Sequence, residues 1–450
     1  MIAPATGKAF AVLFQEIARW DPGSFHKIKW NWPPETMRPI GTFLQPRKEK
    51  VDLATHSFTD LQPITIHFDG SVDKRDVAPG RIYTMDLFFA HPGDIVVAKI
   101  DLKNGAVGIM PAWPNIVVTN HFAVYKPDRD KIIPEYFLLL IQSRFFRAHL
   151  WRNKVGAEGR KEVKLDFFES ECVPIPSFNT QHTIVDYWHQ AEEELAAART
   201  ALVEPVKILN ERLCELYTRE AAQDVIHTRF FALDFKNLEA WDVKSGRASA
   251  FRLACSSFRP MGDFIEDATE IVRPFDEPEH DWPVYGVNNK EGVFLNSRQK
   301  GASFNAPYKR IRKDWFFHNP TRCNVGSLGT VPDVPEDAIT SPEYQVWRIR
   351  KNVPDLLLPG FVAVLIQTPF FIDLVQFNRV GAVKQRMYTE NLCQLHIPYI
   401  PEPEQREYAQ AREKALLALA KAEDQLATVR ADVEAMILGT KPVDEVKSSL

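Results

Sequence analysis

The sequence predicts a mixed α/β (α+β) fold with a pseudo-two-fold internal repeat, in which two similar globular domains are separated by two long antiparallel coiled-coil helices. The first observation behind this prediction is that LIQSRFFRAHLWRNKVGA at 140–157 returns as LIQTPFFIDLVQFNRVGA at 365–382. Nine of these 18 positions are identical, whereas average residue usage gives roughly one match. The second observation is that each copy is followed by a proline-rich stretch and then by apolar residues at helical spacing.

The repeat extends in both directions from these two segments. Upstream, VGIMPAWPNIVVT at 107–119 aligns with LGTVPDVPEDAIT at 328–340, sharing a glycine, two prolines and the final threonine. Downstream, Gln181 aligns with Gln405 after the proline-rich stretches. The offsets drift as they do when loops gain or lose residues between equivalent elements. We therefore predict a first domain at 1–180 and a second at 223–403.

Each domain is followed by a predicted long helix. From Gln181 the apolar positions step by three and four, which is the narrow seam of a coiled coil: Ile184, Trp188, Ala191, Leu195, Ala198 and Leu202. This first helical region covers 181–222, and Pro205 should kink or split it. The second helix covers 404–439 and ends at Gly439, followed by Pro442 and a tail at 440–450.

The two seams lead to a packing prediction. We expect the helices to pair with each other, burying Leu195 and Leu202 against Leu419 and Leu426. The alternative is that each seam packs only on its own domain.

Within the domains, short apolar runs predict strands. GDIVVAKI at 93–100 and NIVVTNHFAVYK at 115–126 have strand composition. PEYFLLLIQSRFFRAHLW at 134–151 has the spacing of one amphipathic helix.

Composition limits the class of protein. No run of 18 apolar residues exists, and the first 20 residues lack the layout of a secretory signal. Five scattered cysteines without a CxxC pair favour a cytoplasmic chain with free thiols. The formal net charge of −4 does not indicate a nucleic-acid partner, so such a partner would have to be bound by a local basic patch.

Several motifs resemble one known family. In the first half they are HPGDIVVAKIDLKNGAVG (91–108), PEYFLLLIQS and VPIPSFNTQ. In the second half they are VYGVNNKEG (284–292), YKRIRKDWFFHNPTRCNVGSLG (308–329) and IPYIPEPEQ. Through them the chain resembles, over nearly its whole length, the specificity subunits of type I restriction–modification systems. In that family two target-recognition domains alternate with two helical spacer regions.

The resemblance implies a non-catalytic DNA-recognition subunit. Each domain would read one half of a bipartite target in double-stranded DNA, and the helices would set the spacer and dock two methyltransferase subunits. A restriction motor–nuclease subunit would complete the complex. The chain itself would hold no metal, cofactor or catalytic residue. S-adenosylmethionine, and ATP with Mg²⁺ for restriction, would be bound by the partner subunits, and no membrane would be involved.

DNA recognition requires cations for phosphates and Arg, Asn or Gln for base edges. Segments rich in these residues recur in loops of both halves, and two basic loops follow the repeated Val-Gly-Ala. Ordinary solvent-exposed charges remain the alternative for each of them. The predicted contacts are Lys99, Lys103, Asn104, Arg160, Lys161, Lys164, Lys309, Arg310, Arg312, Lys313, Asn319, Arg322, Asn324, Lys384 and Arg386.

Two other functions stay open. A stand-alone Mg²⁺-dependent restriction endonuclease could use Asp128, Glu162 and Lys164, which follow the order PD…ExK. The D-x-K pattern recurs at Asp101 and Asp242, so it is weakly specific here. A coiled-coil scaffold that binds no DNA is the third possibility. NVGSLG is not followed by GK[ST], which excludes a P-loop at that position.

Overall fold

A computed structural model describes residues 28–76, 85–156, 161–220, 258–381 and 384–445. The chain divides into two compact units. Unit one comprises residues 1–194 and 423–450, and unit two comprises residues 195–422. The predicted start of the second domain at 223 lies outside the described residues.

The described part of unit one consists of short strands, three short helices and one end of each long helix. Its central sheets have the orders β2-β9-β6-β7 and β4-β3-β8-β5, and β1 pairs with β10. All described pairings are antiparallel except β3 with β8. The strands are β1 Met37–Pro39, β2 Leu44–Arg47, β3 Gln62–Ile66, β4 Val72–Lys74, β5 Leu87–Phe89, β6 Ile95–Ala98, β7 Val107–Ile109, β8 Ile116–Thr119, β9 Phe122–Pro127 and β10 Cys172–Pro174. The helices are α1 Pro134–Gln142, α2 Arg144–Arg152, α3 Leu165–Ser170 and the start of α4 Phe178–Glu220.

Unit two has sheets of corresponding order. They are β12-β20-β17-β18, β13-β16-β19-β14-β15 and the pair β11-β21, with β14 and β19 parallel. The strands are β11 Phe258–Pro260, β12 Ile265–Asp267, β13 Ile271–Val272, β14 Asp281–Asn288, β15 Gly292–Lys300, β16 Tyr308–Arg310, β17 Phe316–His318, β18 Leu328–Thr330, β19 Ile339–Thr340, β20 Gln345–Ile349 and β21 His396–Pro398. The helices are α5 Pro359–Leu365, α6 Pro369–Asn378, α7 Thr389–Cys393 and α8 Glu402–Leu438, which continues into unit one.

Among the described helices, none is long and apolar enough to span a membrane by itself. Residues 359–376 of α5 and α6 meet that criterion only together, with a 73° bend between the two helices.

Two sequence predictions are corrected by these elements. The strand predicted at 115–126 is two strands, β8 and β9, separated by a turn. The helix predicted at 134–151 is also two helices, because Ser143 has an extended backbone (φ −60°, ψ 144°) and caps α2 by accepting from the Phe146 N–H at 3.3 Å. Thr368 caps α6 in the same way, accepting from the Phe371 N–H at 3.2 Å. The repeated LIQS and LIQT therefore mark helix breaks.

The glycine shared by the aligned segments 107–119 and 328–340 is explained by close packing. A Cβ atom at Gly108 would lie 2.6 Å from Val72 Cγ2, and one at Gly329 would lie 3.0 Å from Val293 Cγ2. Each valine lies in the second strand of a β-hairpin. Val72 belongs to the hairpin β3–β4, and Val293 belongs to the hairpin β14–β15. Glycine is thus required in both units because a hairpin packs directly against β7 or β18.

In unit one the two long helices pack on each other and on the domain. Ile184 and Val185 of α4 share the unit-one core with Val433 and Met436 of α8. The Tyr187 hydroxyl donates to Asp432 at 3.2 Å, and Arg430 lies 5.6 Å from the Trp188 ring centroid. Because the contacts run in opposite directions along the two helices, these segments are antiparallel.

The predicted leucine pairs stay a prediction. Leu195 is buried, whereas Leu202, Leu419 and Leu426 are half-buried. Leu426 packs against the unit-one core.

The helix ends are partly as predicted. Helix α8 ends at Leu438, and Gly439 follows with a left-handed φ of 80°. Helix α4 is not split at Pro205 but continues through it to Glu220. Proline has no N–H to donate to the carbonyl of Ala201 one turn earlier, and Ala201 is exposed.

The aligned glutamines hold the same loop in the two units. The Ile133 N–H donates to Gln181 Oε1 at 2.8 Å, and Gln181 Nε2 donates to the carbonyls of Lys131 and Pro176. The Leu358 N–H donates to Gln405 Oε1 at 2.9 Å, and Gln405 Nε2 donates to the carbonyls of Leu356 and Ile400. Both glutamines are fully buried, so each joins the start of a long helix to the loop before α1 or α5.

We expect Gln405→Met to destabilise unit two although it keeps the side-chain volume. It leaves the Leu358 N–H and two carbonyls unpaired in the interior, a cost of about 2–4 kcal/mol. The thermal midpoint should fall by roughly 5 °C or more. Gln410→Met, at an exposed position of the same helix, is the matched control. Equal midpoints for the two variants would contradict this role.

Candidate nucleic-acid interface

In unit one the predicted early loop lies against the end of α2. Residues Leu102–Asn104 form a single 3-10 turn that is closed by Gly105 with a left-handed φ of 93°. Asn104 Nδ2 donates to Asp101 Oδ1 at 2.8 Å, and Trp151 Nε1 donates to Asn104 Oδ1 at 3.2 Å. The Asn104 amide is therefore fixed between the turn and the helix.

Three lysines converge next to this contact. Lys154 Nζ lies 3.0 Å from the Trp151 ring centroid. Partial desolvation, and then the positive charges of Lys161 and Lys103, lower the pKa of Lys154. Val155 and Glu162 form an antiparallel bridge, with N···O distances of 2.8 and 2.9 Å between their backbone groups. This bridge holds Lys161, the residue before Glu162, near the end of α2. We call Lys103, Trp151, Lys154 and Lys161 the unit-one cluster.

In unit two the corresponding turn and helix end carry different side chains. Arg379, at the end of α6, donates to Asn324 Oδ1 at 2.9 Å and to Gln385 Oε1 at 3.0 Å. The Asn324 turn is closed by Gly326 with φ of 84°. We call Arg322, Asn324, Arg379, Gln385 and Arg386 the unit-two cluster.

Backbone hydrogen bonds hold the segment that carries Gln385 and Arg386 of the unit-two cluster. A bridge between Val380 and Arg386 closes it, and the Met387 N–H donates to the Pro320 carbonyl at 2.9 Å. The Arg386 guanidinium donates to the Tyr388 hydroxyl at 3.2 Å, which raises the pKa of Arg386. Arg322 is exposed, and its side chain forms no hydrogen bond or ion pair within the described residues. The cluster thus offers fixed cations and one unpaired arginine on a single surface.

The sequence interpretation missed Trp151, Lys154 and Arg379. A signal for two of them was present, because Asn-Lys-Val-Gly-Ala at 153–157 aligns with Asn-Arg-Val-Gly-Ala at 378–382. A cation therefore stands at the same repeat position in each half, directly before the predicted basic loop.

The basic run at 309–313 is mostly engaged within unit two. Lys309 Nζ donates to the Tyr344 carbonyl at 2.6 Å, and burial lowers the pKa of Lys309. Arg310 donates to the Glu336 carbonyl at 2.6 Å and lies 5.7 Å from the Trp282 ring centroid. Arg312 pairs with Glu270 at 2.8 Å. Lys313 is exposed, without a side-chain partner in the part of the chain that the structure describes.

The remaining predicted residues are placed as follows. Lys99 donates to the Asn120 carbonyl at 2.6 Å, and Lys164 pairs with Glu162 at 2.5 Å. Asn319 Oδ1 accepts from the N–H and the hydroxyl of Thr321, so it shapes its own turn. Lys384 is exposed, and Arg160 lies outside the described residues.

The residues of the endonuclease hypothesis are used in ion pairs. Asp128 pairs with Lys131 at 2.7 Å, and hydrogen bonding to that lysine lowers the pKa of Asp128. Glu162 pairs with Lys164. Across the described ranges, no group of three His, Cys, Asp or Glu side chains is arranged to hold a metal ion. The described geometry therefore gives the endonuclease hypothesis no support.

The unit-one cluster lies in a segment that matches a known family. Residues 85–204 match the family described as the type I restriction modification DNA specificity domain. This segment is therefore similar to a type I DNA specificity domain. It contains β5 to β10, α1 to α3 and the first part of α4, and it includes every member of the unit-one cluster.

Two curated proteins are similar in sequence to part of this chain. The EcoAI specificity subunit of Escherichia coli is 32% identical over 138 residues, which cover 29% of this chain and 22% of that protein. The EcoEI specificity subunit of Escherichia coli is 29% identical over 161 residues, 35% of this chain and 26% of that protein. The chain thus matches only 22% and 26% of the length of these curated relatives.

Two solved structures of specificity subunits match the chain only distantly. The type I restriction–modification S subunit from M. genitalium has a TM-score of 0.44 at 13% identity, covering 93% of this chain and 98% of that chain. The HsdS subunit from Thermoanaerobacter tengcongensis has a TM-score of 0.32 at 14% identity, covering 92% of this chain and 96% of that chain.

Proposed function

We propose that this chain is the non-catalytic DNA-recognition subunit of a type I restriction–modification complex, in which each unit reads one half of a bipartite target. One observation carries the proposal: the two units assemble polar and cationic clusters at equivalent places. In each, a left-handed glycine turn lies near the end of a helix that is followed by an antiparallel bridge, at Val155 in unit one and at Val380 in unit two. The unit-one cluster also lies within the segment at 85–204 that matches the type I DNA specificity domain.

The electrostatics of the unit-one cluster favour an anionic ligand. Lys103 donates to the Ile100 carbonyl, but neither Lys103 nor Lys154 forms an ion pair with any described carboxylate. Their mutual repulsion is one cause of the lowered pKa of Lys154. A DNA phosphate between them would relieve this repulsion and release bound counterions. The indole of Trp151 keeps the Lys154 ammonium near one position, so the cations are arranged before the ligand binds.

The rest of the complex is proposed from the same assignment. Two methyltransferase subunits would dock on the chain and bind S-adenosylmethionine, and a restriction motor–nuclease subunit would bind ATP and Mg²⁺. The complex would be cytoplasmic and would act on double-stranded DNA without a membrane. In this proposal the two units are copies of one ancestral domain, and α4 and α8 pair antiparallel along their length to set the spacing of the half-sites. The antiparallel contacts of Tyr187 and Trp188 in unit one support that pairing.

The function is tested by selecting bound sequences from a pool of randomised duplex DNA with the full chain and its methyltransferase partners. We expect a bipartite motif, with affinity that falls steeply as salt rises. A chain that enriches no motif and shows no salt-dependent binding would be a scaffold. Cleavage of unmethylated DNA by the chain alone with Mg²⁺ would instead establish the endonuclease.

Two cations of unit two are expected to behave differently in such binding. Arg322→Ala should reduce the slope of log affinity against log salt by roughly 0.9, because an exposed, unpaired arginine can bind one phosphate. Lys309→Ala should leave the slope unchanged, because burial withdraws its ammonium from solvent, lowers its pKa and leaves it donating to the Tyr344 carbonyl. Slopes are measured by fluorescence anisotropy between low and moderate salt. A larger loss for Lys309→Ala than for Arg322→Ala would contradict the proposed surface.

A further inference from the structure

Each unit presents a β-hairpin beside its basic cluster. In unit one the hairpin is β3–β4, and in unit two it is β14–β15. The correspondence is topological, because the first strand of each hairpin pairs in parallel with a strand of the same sheet, β3 with β8 and β14 with β19. The tips are residues 67–71 and 289–291.

Both tips pack on the left-handed glycine turn of their cluster. A Cβ atom at Gly105 would lie 2.8 Å from the Phe68 carbonyl oxygen, and one at Gly326 would lie 3.2 Å from Asn289 Cβ. The same turns carry Asn104, which is bonded to Trp151, and Asn324, which is bonded to Arg379. Tip and cluster therefore form one continuous surface in each unit, so a duplex bound by the cluster passes the tip.

The unit-two hairpin continues as two strands beyond the pairing of β14 with β19 at Val284 and Tyr285, with one face packed on β18. Its strands have eight and nine residues, and β15 is the edge strand of its sheet. A two-stranded ribbon fits the major groove of DNA. Asn288 Oδ1 accepts from the N–H groups of Lys290 and Glu291 at 2.8 and 2.7 Å. This turn holds the backbone while the side chains of Asn289 and Lys290 stay exposed.

The two hairpins have equivalent strand pairings, but their tips expose different kinds of side chain. The unit-one tip exposes Phe68, whose exposed fraction is 53%, and Asp69 Oδ1 accepts from the Ser71 N–H and hydroxyl. The unit-two tip exposes an amide and an ammonium instead. In the major groove an apolar side chain contacts the thymine methyl group, asparagine pairs with adenine, and lysine donates to guanine. Different tips on equivalent scaffolds are what two readers of different half-sites require.

We propose that the two hairpin tips read bases, with Phe68 acting in unit one and Asn289 and Lys290 in unit two. The inference rests on the proposed function and specifies which residues distinguish the half-sites. The clusters at 103–161 and 322–386 hold the DNA backbone, and the tips beside them contact base edges.

The test selects bound sequences from the same randomised duplex pool with full-chain variants and the methyltransferase partners. Asn289→Ala combined with Lys290→Ala should relax base preference in one half-site by roughly 5- to 150-fold and leave the other half-site intact. Phe68→Ala should relax the other half-site. Asn305→Ala combined with Lys351→Ala removes the same two side-chain types from exposed positions of unit two and should leave the motif unchanged.

Other outcomes have distinct meanings. If both tip variants select the wild-type motif, the tips do not read bases and the inference is wrong. Weaker binding to all sequences with an unchanged motif would also overturn it, since it would reduce the tips to backbone contacts. Asn289→Asp tests the same claim without loss of volume, because it removes the amide donor and should disfavour the preferred base. A wild-type chain that enriches no bipartite motif would contradict the proposed function itself.

Discussion

Adding one heptad to both α4 and α8, away from Pro205, should shift the preferred DNA target to one with about three more base pairs between its half-sites. Seven helical residues add about 10 Å, and duplex DNA rises about 3.4 Å per base pair. A heptad also keeps the phase of the apolar seam to within about 20°. The measurement is methylation, by the chain reconstituted with its methyltransferase partners, of duplexes whose spacers differ by single base pairs.

A matched control separates helix length from chain length. Inserting the same seven residues after Thr440, beyond the end of α8 at Leu438, lengthens the chain but not the helix pair. This variant should keep the original spacer. A folded and active double-heptad variant that also keeps the original spacer would show that α4 and α8 do not set the distance between the half-sites.

Removing the three lysines of the unit-one cluster should produce the second large effect. Lys103, Lys154 and Lys161 replaced together by alanine should lower DNA affinity about 100-fold at 0.15 M salt, because one phosphate contact contributes roughly fivefold there. The salt slope should fall by roughly 2.7. Because phosphate contacts position the protein and base contacts specify the sequence, the selected motif should not change.

A second triple variant separates the effect of the cluster's position from the effect of total charge. Lys50, Lys131 and Lys441 also belong to unit one, and each is paired with a carboxylate, Asp86, Asp128 or Asp432, at 2.7 to 2.8 Å. Replacing these three by alanine changes the net charge by the same amount. We expect little loss of affinity from it. Equal losses from the two triple variants would mean that only the total charge matters and that the cluster has no special position.

The features that could be predicted from the sequence are those fixed by local or repeated constraints. Gly108 and Gly329 are shared because a hairpin leaves no room for a Cβ atom. Gln181 and Gln405 are shared because each satisfies buried backbone groups. Because both units repeat the same packing, the residues that it requires are identical in the two halves of the sequence, and aligning the halves reveals them.

What the sequence did not reveal depends on partners distant along the chain. Lys309 belongs to the densest basic run, but its ammonium donates to a carbonyl 35 residues away. Trp151 is an unremarkable helix residue in the sequence, and only folding places it between Asn104 and Lys154. Ser143 breaks a helix that its apolar spacing predicts to be continuous, because its hydroxyl starts a new one. Charge density along the chain therefore does not identify the cations that stay free.

The central claim is that each unit reads one half of the target, and exchanging one unit tests it most directly. Residues 225–400 would be replaced by the corresponding region of a similar specificity subunit that recognises a different target, and the methylated motif would be determined with the methyltransferase partners. We expect a motif in which one half-site is new while the other half-site and the spacer are those of the parent chain. A chimera that folds and methylates DNA but changes both half-sites, or neither, would contradict the claim.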